Sequence, residues 1–155
     1  PLHYYGVSKI MIVNGHGGNR SSLLEMARLL REKGILIHLS VGEAAGKLLP
    51  GLFSQEERGH AAAEETSVNL ALHPHLVSAD KASDEEPRTC FLQGEGVSLP
   101  LNTADETLSG VFGKSTTASA EKGKAVFEAV VNELVEHVNL LKEARFEDLG
   151  QKPRV

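Results

Sequence analysis

Residues 8–19 read Ser-Lys-Ile-Met-Ile-Val-Asn-Gly-His-Gly-Gly-Asn, a short apolar run that breaks abruptly into a glycine-rich turn. Ser8 to Val13 is nearly continuous in apolar character rather than alternating, the pattern of a strand buried on both faces of a parallel sheet. The residues after the turn have helical spacing. Leu23, Leu24, Ala27, Leu29 and Leu30 make an apolar face, Asn19 or Ser21 can cap the start, and Gly34 stands where a helix C-terminus needs a left-handed residue. Ile35 to Val41 (ILIHLSV) then reads as a second strand. Strand, loop, helix and strand make a βαβ unit, whose crossover is expected to be right-handed. The fold expected from this stretch is α/β, layered α/β/α, with a mostly parallel sheet.

Further along, Pro50 and Gly51 interrupt Ala44 to Phe53, which predicts a short helix and then a loop. His60 to Leu72 reads as a helix ending before Pro74. Residues 78 to 109 mix Asp, Ser, Gly and Pro with short apolar pairs, a long and partly structured excursion. Gly110 to Gly113 reads as a turn. A last helix is predicted from Ser119 to Leu141, with Val126, Val130, Leu134, Val138 and Leu141 as its buried stripe. Ser119 can cap it, although Lys122 leaves the capping box incomplete. Residues 1–145 are thus expected to form one domain and residues 146–155 a polar, frayed tail.

The composition is that of an ordinary globular protein: 155 residues, 41% hydrophobic and 24% charged. A formal net charge of -5 argues against a nucleic-acid partner, because no basic stripe can replace phosphate counterions. Cys90 is the only cysteine, which excludes a disulfide within the chain and suits a reducing, cytoplasmic compartment. No apolar run approaches the roughly 18 residues needed to cross a bilayer, so no membrane partner is expected. The chain opens on Pro1 and is soon in an apolar strand. That abruptness is read as truncation at the N-terminus.

Two segments carry chemistry. His16 directly follows a buried strand, where open α/β sheets bind ligands, and glycines on both sides let backbone approach closely. An imidazole fixed there can bind a metal or move a proton. The same loop can also cradle an anion at the N-terminus of the following helix. The second segment is Arg58 to Ser67 (RGHAAAEETS). Helical spacing puts His60 and Glu64 on one face and turns Glu65 away, unless His60 precedes the helix. Carboxylates in a first helical turn are also favoured by the helix dipole alone. Elsewhere, His38 reads as a packing residue, His137 as solvated beside Glu133 and Glu136, Asp84 to Glu86 as an exposed loop, Glu121 as a helix-start support and Cys90 as buried.

Three motifs in order resemble the creatininase family. Asn14 to Asn19 (NGHGGN) matches its signature loop, His60 to Ser67 (HAAAEETS) is similar to its HAGxxETS motif, and Gly110 to Lys124 (GVFGKSTTASAEKGK) resembles its GVxGDPxxATAEKG stretch. The resemblance implies an α/β hydrolase with two divalent metals, Zn or Mn, that cleaves C–N bonds in cyclic amides and formamides. It implies His16 and Glu65 as metal ligands and His60 as the catalytic group in the pocket. Asn14, Gly17, Gly18, Asn19 and Glu64 would line the substrate site. A small-molecule amide and further copies of the chain, or a missing N-terminal segment, are the implied partners. Departures are Ala62 for the motif's glycine, Gly18 where creatininase has a liganding glutamate, and Lys114-Ser115 for Asp-Pro. The family's remaining metal ligands lie upstream of its signature loop and have no counterpart here. The expected alternative is therefore an incomplete or split chain without activity of its own.

Overall fold

The computed structural model describes residues 2–40, 48–88 and 99–145. They fall into two compact units, residues 1–45 with 130–155 and residues 46–129. Readings that fall on Val41, on Ala44 and its neighbours, on Cys90 and on the tail 146–155 lie outside the described residues.

The first unit holds β1 (Lys9–Val13), α1 (Arg20–Arg31), β2 (Leu36–Ser40) and the later part of a long helix, α5 (Ala120–Glu143). β1 and β2 pair in parallel, in register from Lys9 opposite Leu36 to Val13 opposite Ser40. The helix between them ends as the glycine predicts. Gly34 adopts φ 75°, its N–H bonds Arg31 O, and Ile35 N–H bonds Leu30 O at 3.1 Å. These two bonds are a Schellman closure, and they turn the chain straight into β2. α1 packs along β2. Lys9 Nζ donates to the carbonyl of Lys142 at 2.7 Å, and the His38 ring lies 4.7 Å from that of His137. α5 therefore contacts the sheet face that carries Lys9 and His38, and helices lie against a parallel sheet. His137 is not solvated as expected. Its Nδ1 is buried without a hydrogen-bond partner among the described residues, and its Nε2 is 3.7 Å from Glu133.

The second unit holds α2 (Leu49–Leu52), α3 (Ala63–Leu72), β3 (Asp84–Glu85), α4 (Thr103–Glu106), β4 (Gly113–Lys114) and the start of α5. Pro50 and Gly51 do not break α2. They lie inside it, because a proline in a first turn forfeits no intrahelical bond. α3 begins at Ala63, not at His60, since Ala61 has φ 51° and cannot be helical. It ends at Leu72, before Pro74, as predicted. Phe53, Ala62, Ala63, Val111 and Val126 are buried.

Where α3 meets α5, a Cβ on Gly123 would stand 1.9 Å from the Ser67 carbonyl oxygen. Ser67 is fully buried, and its hydroxyl accepts the Ser119 N–H at 3.0 Å. Ser119 in turn caps α5 by accepting the Lys122 N–H at 3.2 Å. The helix runs on to Glu143 rather than ending at Leu141. Of its expected stripe, Val126 is buried, but Val138 is 37% exposed, because the described residues of the first unit do not reach that far round the helix. Asp84 and Glu85 are not a loose loop. β3 pairs antiparallel with β4, Asp84 accepts the N–H groups of Ser115 and Thr116, and Glu85 accepts those of Leu108 and Ser109. Among the described residues no helix is long and apolar enough to cross a membrane.

Candidate metal and catalytic site

In the first unit, His16 stands three residues past the end of β1, in a loop built by Asn14. The Asn14 amide Nδ2 donates to the His16 carbonyl at 2.7 Å, and its Oδ1 accepts Asn19 Nδ2 and the His16 N–H, each at 3.4 Å. His16 is extended (φ -149°, ψ 130°) and caps the single turn Gly17–Asn19 that leads into α1. Its Nδ1 accepts the Gly18 N–H at 3.2 Å. The cap of this helix start is thus the imidazole, whereas Asn19 makes no side-chain cap bond. A neutral ring that accepts at Nδ1 carries its proton on Nε2 and offers a donor there. Gly18 leaves the room this needs, since a Cβ there would approach His16 Nδ1 to 3.0 Å. His16, Gly17, Gly18 and Asn19 are exposed, and Asn14 is half-buried.

In the second unit, His60 occupies the turn before α3 and is exposed. Its carbonyl accepts the Phe112 N–H at 2.8 Å, and its ring lies 5.6 Å from the Phe112 ring. The imidazole makes no hydrogen bond among the described residues, so both nitrogens remain available. Glu65 is exposed. One of its oxygens accepts the Ala61 N–H at 2.7 Å, which satisfies an amide at the helix start. Its other oxygen is free of hydrogen bonds among the described residues. Glu64 is half-buried. Burial first, and then the neighbouring Glu65 charge, raise its carboxyl above the usual range against the opposing pull of Arg58. The pairing of His60 and Glu64 on one helical face does not occur, because His60 precedes the helix.

His60, Glu64 and Glu65 therefore come together at the start of α3, while His16 sits with Asn14, Gly17, Gly18 and Asn19 at the end of β1. Among the described residues no group of three or more His, Cys, Asp or Glu is arranged to hold a metal ion. The donor types nonetheless fit a divalent cation. Glu65 keeps an unshared oxygen, and the His16 imidazole is committed only to one long bond. The second unit also has an open depression of about 510 Å³ beside this turn, lined by Ala61, Thr66, Asn69, Lys81, Ser83 and Ser115. Neither His60 nor the two glutamates line it.

Sequence reasoning missed Glu57, a carboxylate just before the second segment that accepts from both Ser54 and Thr117. Its signal was legible: Ser54 and Glu57 have capping-box spacing, and Glu57 accepts the Ser54 N–H at 2.7 Å.

The family model for creatinine amidohydrolase matches residues 1–138. The creatinine amidohydrolase of Pseudomonas putida is 28% identical over 151 residues, covering 88% of this chain and 57% of that protein. A mycofactocin precursor peptide peptidase of Mycobacterium tuberculosis is 33% identical over 138 residues, covering 84% and 47%. A crystal structure from Bacteroides fragilis, provisionally named a creatinine amidohydrolase, superposes with a TM-score of 0.75 at 26% identity, covering 97% of this chain and 59% of that one. Creatininases in manganese and zinc–zinc forms also match. The chain spans about half the length of the curated relatives it matches. With the signature loop at the end of a parallel strand and the second motif at a helix start, the chain belongs to the creatininase family.

Proposed function

We propose that this chain contributes to a metal-dependent amidohydrolase that cleaves a C–N bond of a cyclic amide or formamide. The observation that carries the reading is His16, an exposed imidazole braced by Asn14 at the carboxyl end of β1. His16 in the first unit and Glu65 in the second are each proposed as a metal ligand, for Zn or Mn, the ions named for the matching creatininases. When bound, such an ion polarises a carbonyl and lowers the pKa of its water to about 7. His60, whose ring makes no hydrogen bond among the described residues, would carry a proton to the departing nitrogen. Glu64 would sit at the pocket edge, and Asn14, Gly17, Gly18 and Asn19 would line the substrate. The higher identity to a peptidase than to the Pseudomonas putida creatinine amidohydrolase supports testing peptides as well.

We take residues 1–145 as one family domain with a polar tail, supported by the match over 1–138. A cytoplasmic location and a partner, either further copies or a separate N-terminal segment, complete the reading. The test is an assay of the purified protein with Mn²⁺ or Zn²⁺ on cyclic amides, formamides and short peptides, with His16→Ala as control. Metal-dependent turnover that His16→Ala abolishes is expected of the assembled enzyme, and little or none of this chain alone. Turnover that survives in His16→Ala would remove its assigned role.

A second reading has its own support. As it stands, His16 accepts at Nδ1 and offers Nε2–H as a donor beside a helix start, which suits an anion. Thermal protection by phosphate, with none from metal, would favour that reading.

A further inference from the structure

Glu57 lies in a one-turn helix, Gln55–Glu57, just before His60. Its Oε2 accepts the Ser54 N–H at 2.7 Å. Its Oε1 accepts the Thr117 hydroxyl at 2.5 Å and lies 3.5 Å from the Lys122 ammonium. The Glu57 side chain is only 13% exposed. Lys122 also sits 4.9 Å above the ring of buried Phe53. The Thr117 and Ser54 bonds, in that order, hold the Glu57 carboxyl down to about 2, so it is an anion throughout the neutral range.

The backbone on either side is equally confined. A Cβ on Gly59 would stand 1.8 Å from the Phe112 carbonyl oxygen, and one on Gly113 would stand 2.1 Å from that of Glu56. The Phe112 N–H bonds the His60 carbonyl, and Lys114 pairs with Glu56 across the same seam.

We infer that Glu57 is a positioning residue for His60, fastening the His60 turn to Thr117 and Lys122. The stretch Gly110 to Lys124 then acts as a clamp on the second motif rather than as a source of ligands. The catalytic importance of this rests on His60 being the proton carrier proposed above.

The experiment is NMR of the histidine rings and of amide exchange in the metal-free protein, comparing wild type with Glu57→Ala, Glu57→Gln and Thr117→Val. His60 lies against Phe112, so its ring signals carry an aromatic shift that reports its placement. In Glu57→Ala that shift should collapse toward the free-histidine value. Exchange at the Phe112 N–H should quicken about tenfold, as expected for losing a charge-assisted hydrogen bond. The His16 signals should not move. Glu57→Gln keeps one acceptor oxygen and should fall between, as should Thr117→Val. These last two keep the test open if Glu57→Ala does not fold. Unchanged His60 signals and Phe112 exchange in the folded variants overturn the inference, even if melting temperature drops. If the signals move while His60→Ala leaves turnover intact, the clamp stands and the role of His60 in catalysis falls.

Discussion

At the His16 imidazole, two partners compete for one lone pair. Nδ1 is turned to the Gly18 N–H, so coordination through either nitrogen requires that bond to open or the ring proton to move. Titration with Zn²⁺ should therefore shift the Gly18 amide resonance early and strongly, and a Gly18 signal indifferent to bound metal would exclude ligation by His16. His16→Ala should weaken metal binding by more than about 100-fold, since losing even an outer partner of a ligand costs 10–100-fold. The fold should survive, because the loop is exposed. Glu65 and Glu64 separate cleanly. Glu65→Gln keeps an oxygen for the Ala61 N–H and removes only charge, so metal affinity should fall about tenfold or more at an unchanged melting temperature. Glu64→Gln relieves a half-buried charge that its neighbour repels, so stability should hold within ~0.5 kcal/mol or rise. Calorimetric metal titration of the two variants decides between them, and a larger loss in Glu64→Gln would reverse the assignment.

Between elements, the clearest constraint is the α3–α5 crossing. Gly123→Ala places a methyl against the Ser67 carbonyl, and it should cost about 3 kcal/mol in denaturant unfolding as the backbones separate. A near-neutral result would mean the helices part easily. The contact of α5 with the sheet should be sensitive to acid. Burial, and then the charge of His137, lower the His38 pKa, and the facing groups are His137 and, beside it, Glu133. A depressed histidine contributes stability that is complete above its unfolded pKa of about 6.5 and is lost as pH falls through the lower folded value. Melting temperature should therefore decline below about pH 6.5, and His38→Leu should flatten that decline. The elements differ in how much of them could be read from sequence. β1, α1, Gly34 and β2 follow one another locally, and their periodicity and cap chemistry suffice to place them. The start of α3 was misplaced because Ala61 takes a positive φ that alanine does not advertise, held by the bond its N–H donates to Glu65. The Asp84 and Glu85 staples escaped notice because their partners lie more than twenty residues away. His137 looked solvated because its own helix surrounds it with glutamates, while the ring that covers it belongs to a strand about a hundred residues earlier.

Over the whole molecule, apolar surface is left uncovered. Val13 is 61% exposed, Val135 55% and Leu140 63%, and among the described residues β1 and β2 have no third strand beside them. Such edges and patches associate. Sedimentation of the isolated polypeptide should show species larger than a monomer, and a clean monomer at tens of micromolar would contradict this. The same polypeptide, dialysed, should retain at most one divalent ion per chain by elemental analysis, since no group of three donors is assembled among the described residues. The discontinuity of the first unit, residues 1–45 with 130–155, also bears on its birth at the ribosome. β1, α1 and β2 are made before the second unit and can pair at once, but the helix that contacts Lys9 and His38 is synthesised only after it. At typical elongation rates that delay is on the order of ten seconds. Throughout it, the nascent sheet lacks its contact with α5, which leaves a docking place for a chaperone and a window in which neighbouring chains on one polysome can pair with each other instead.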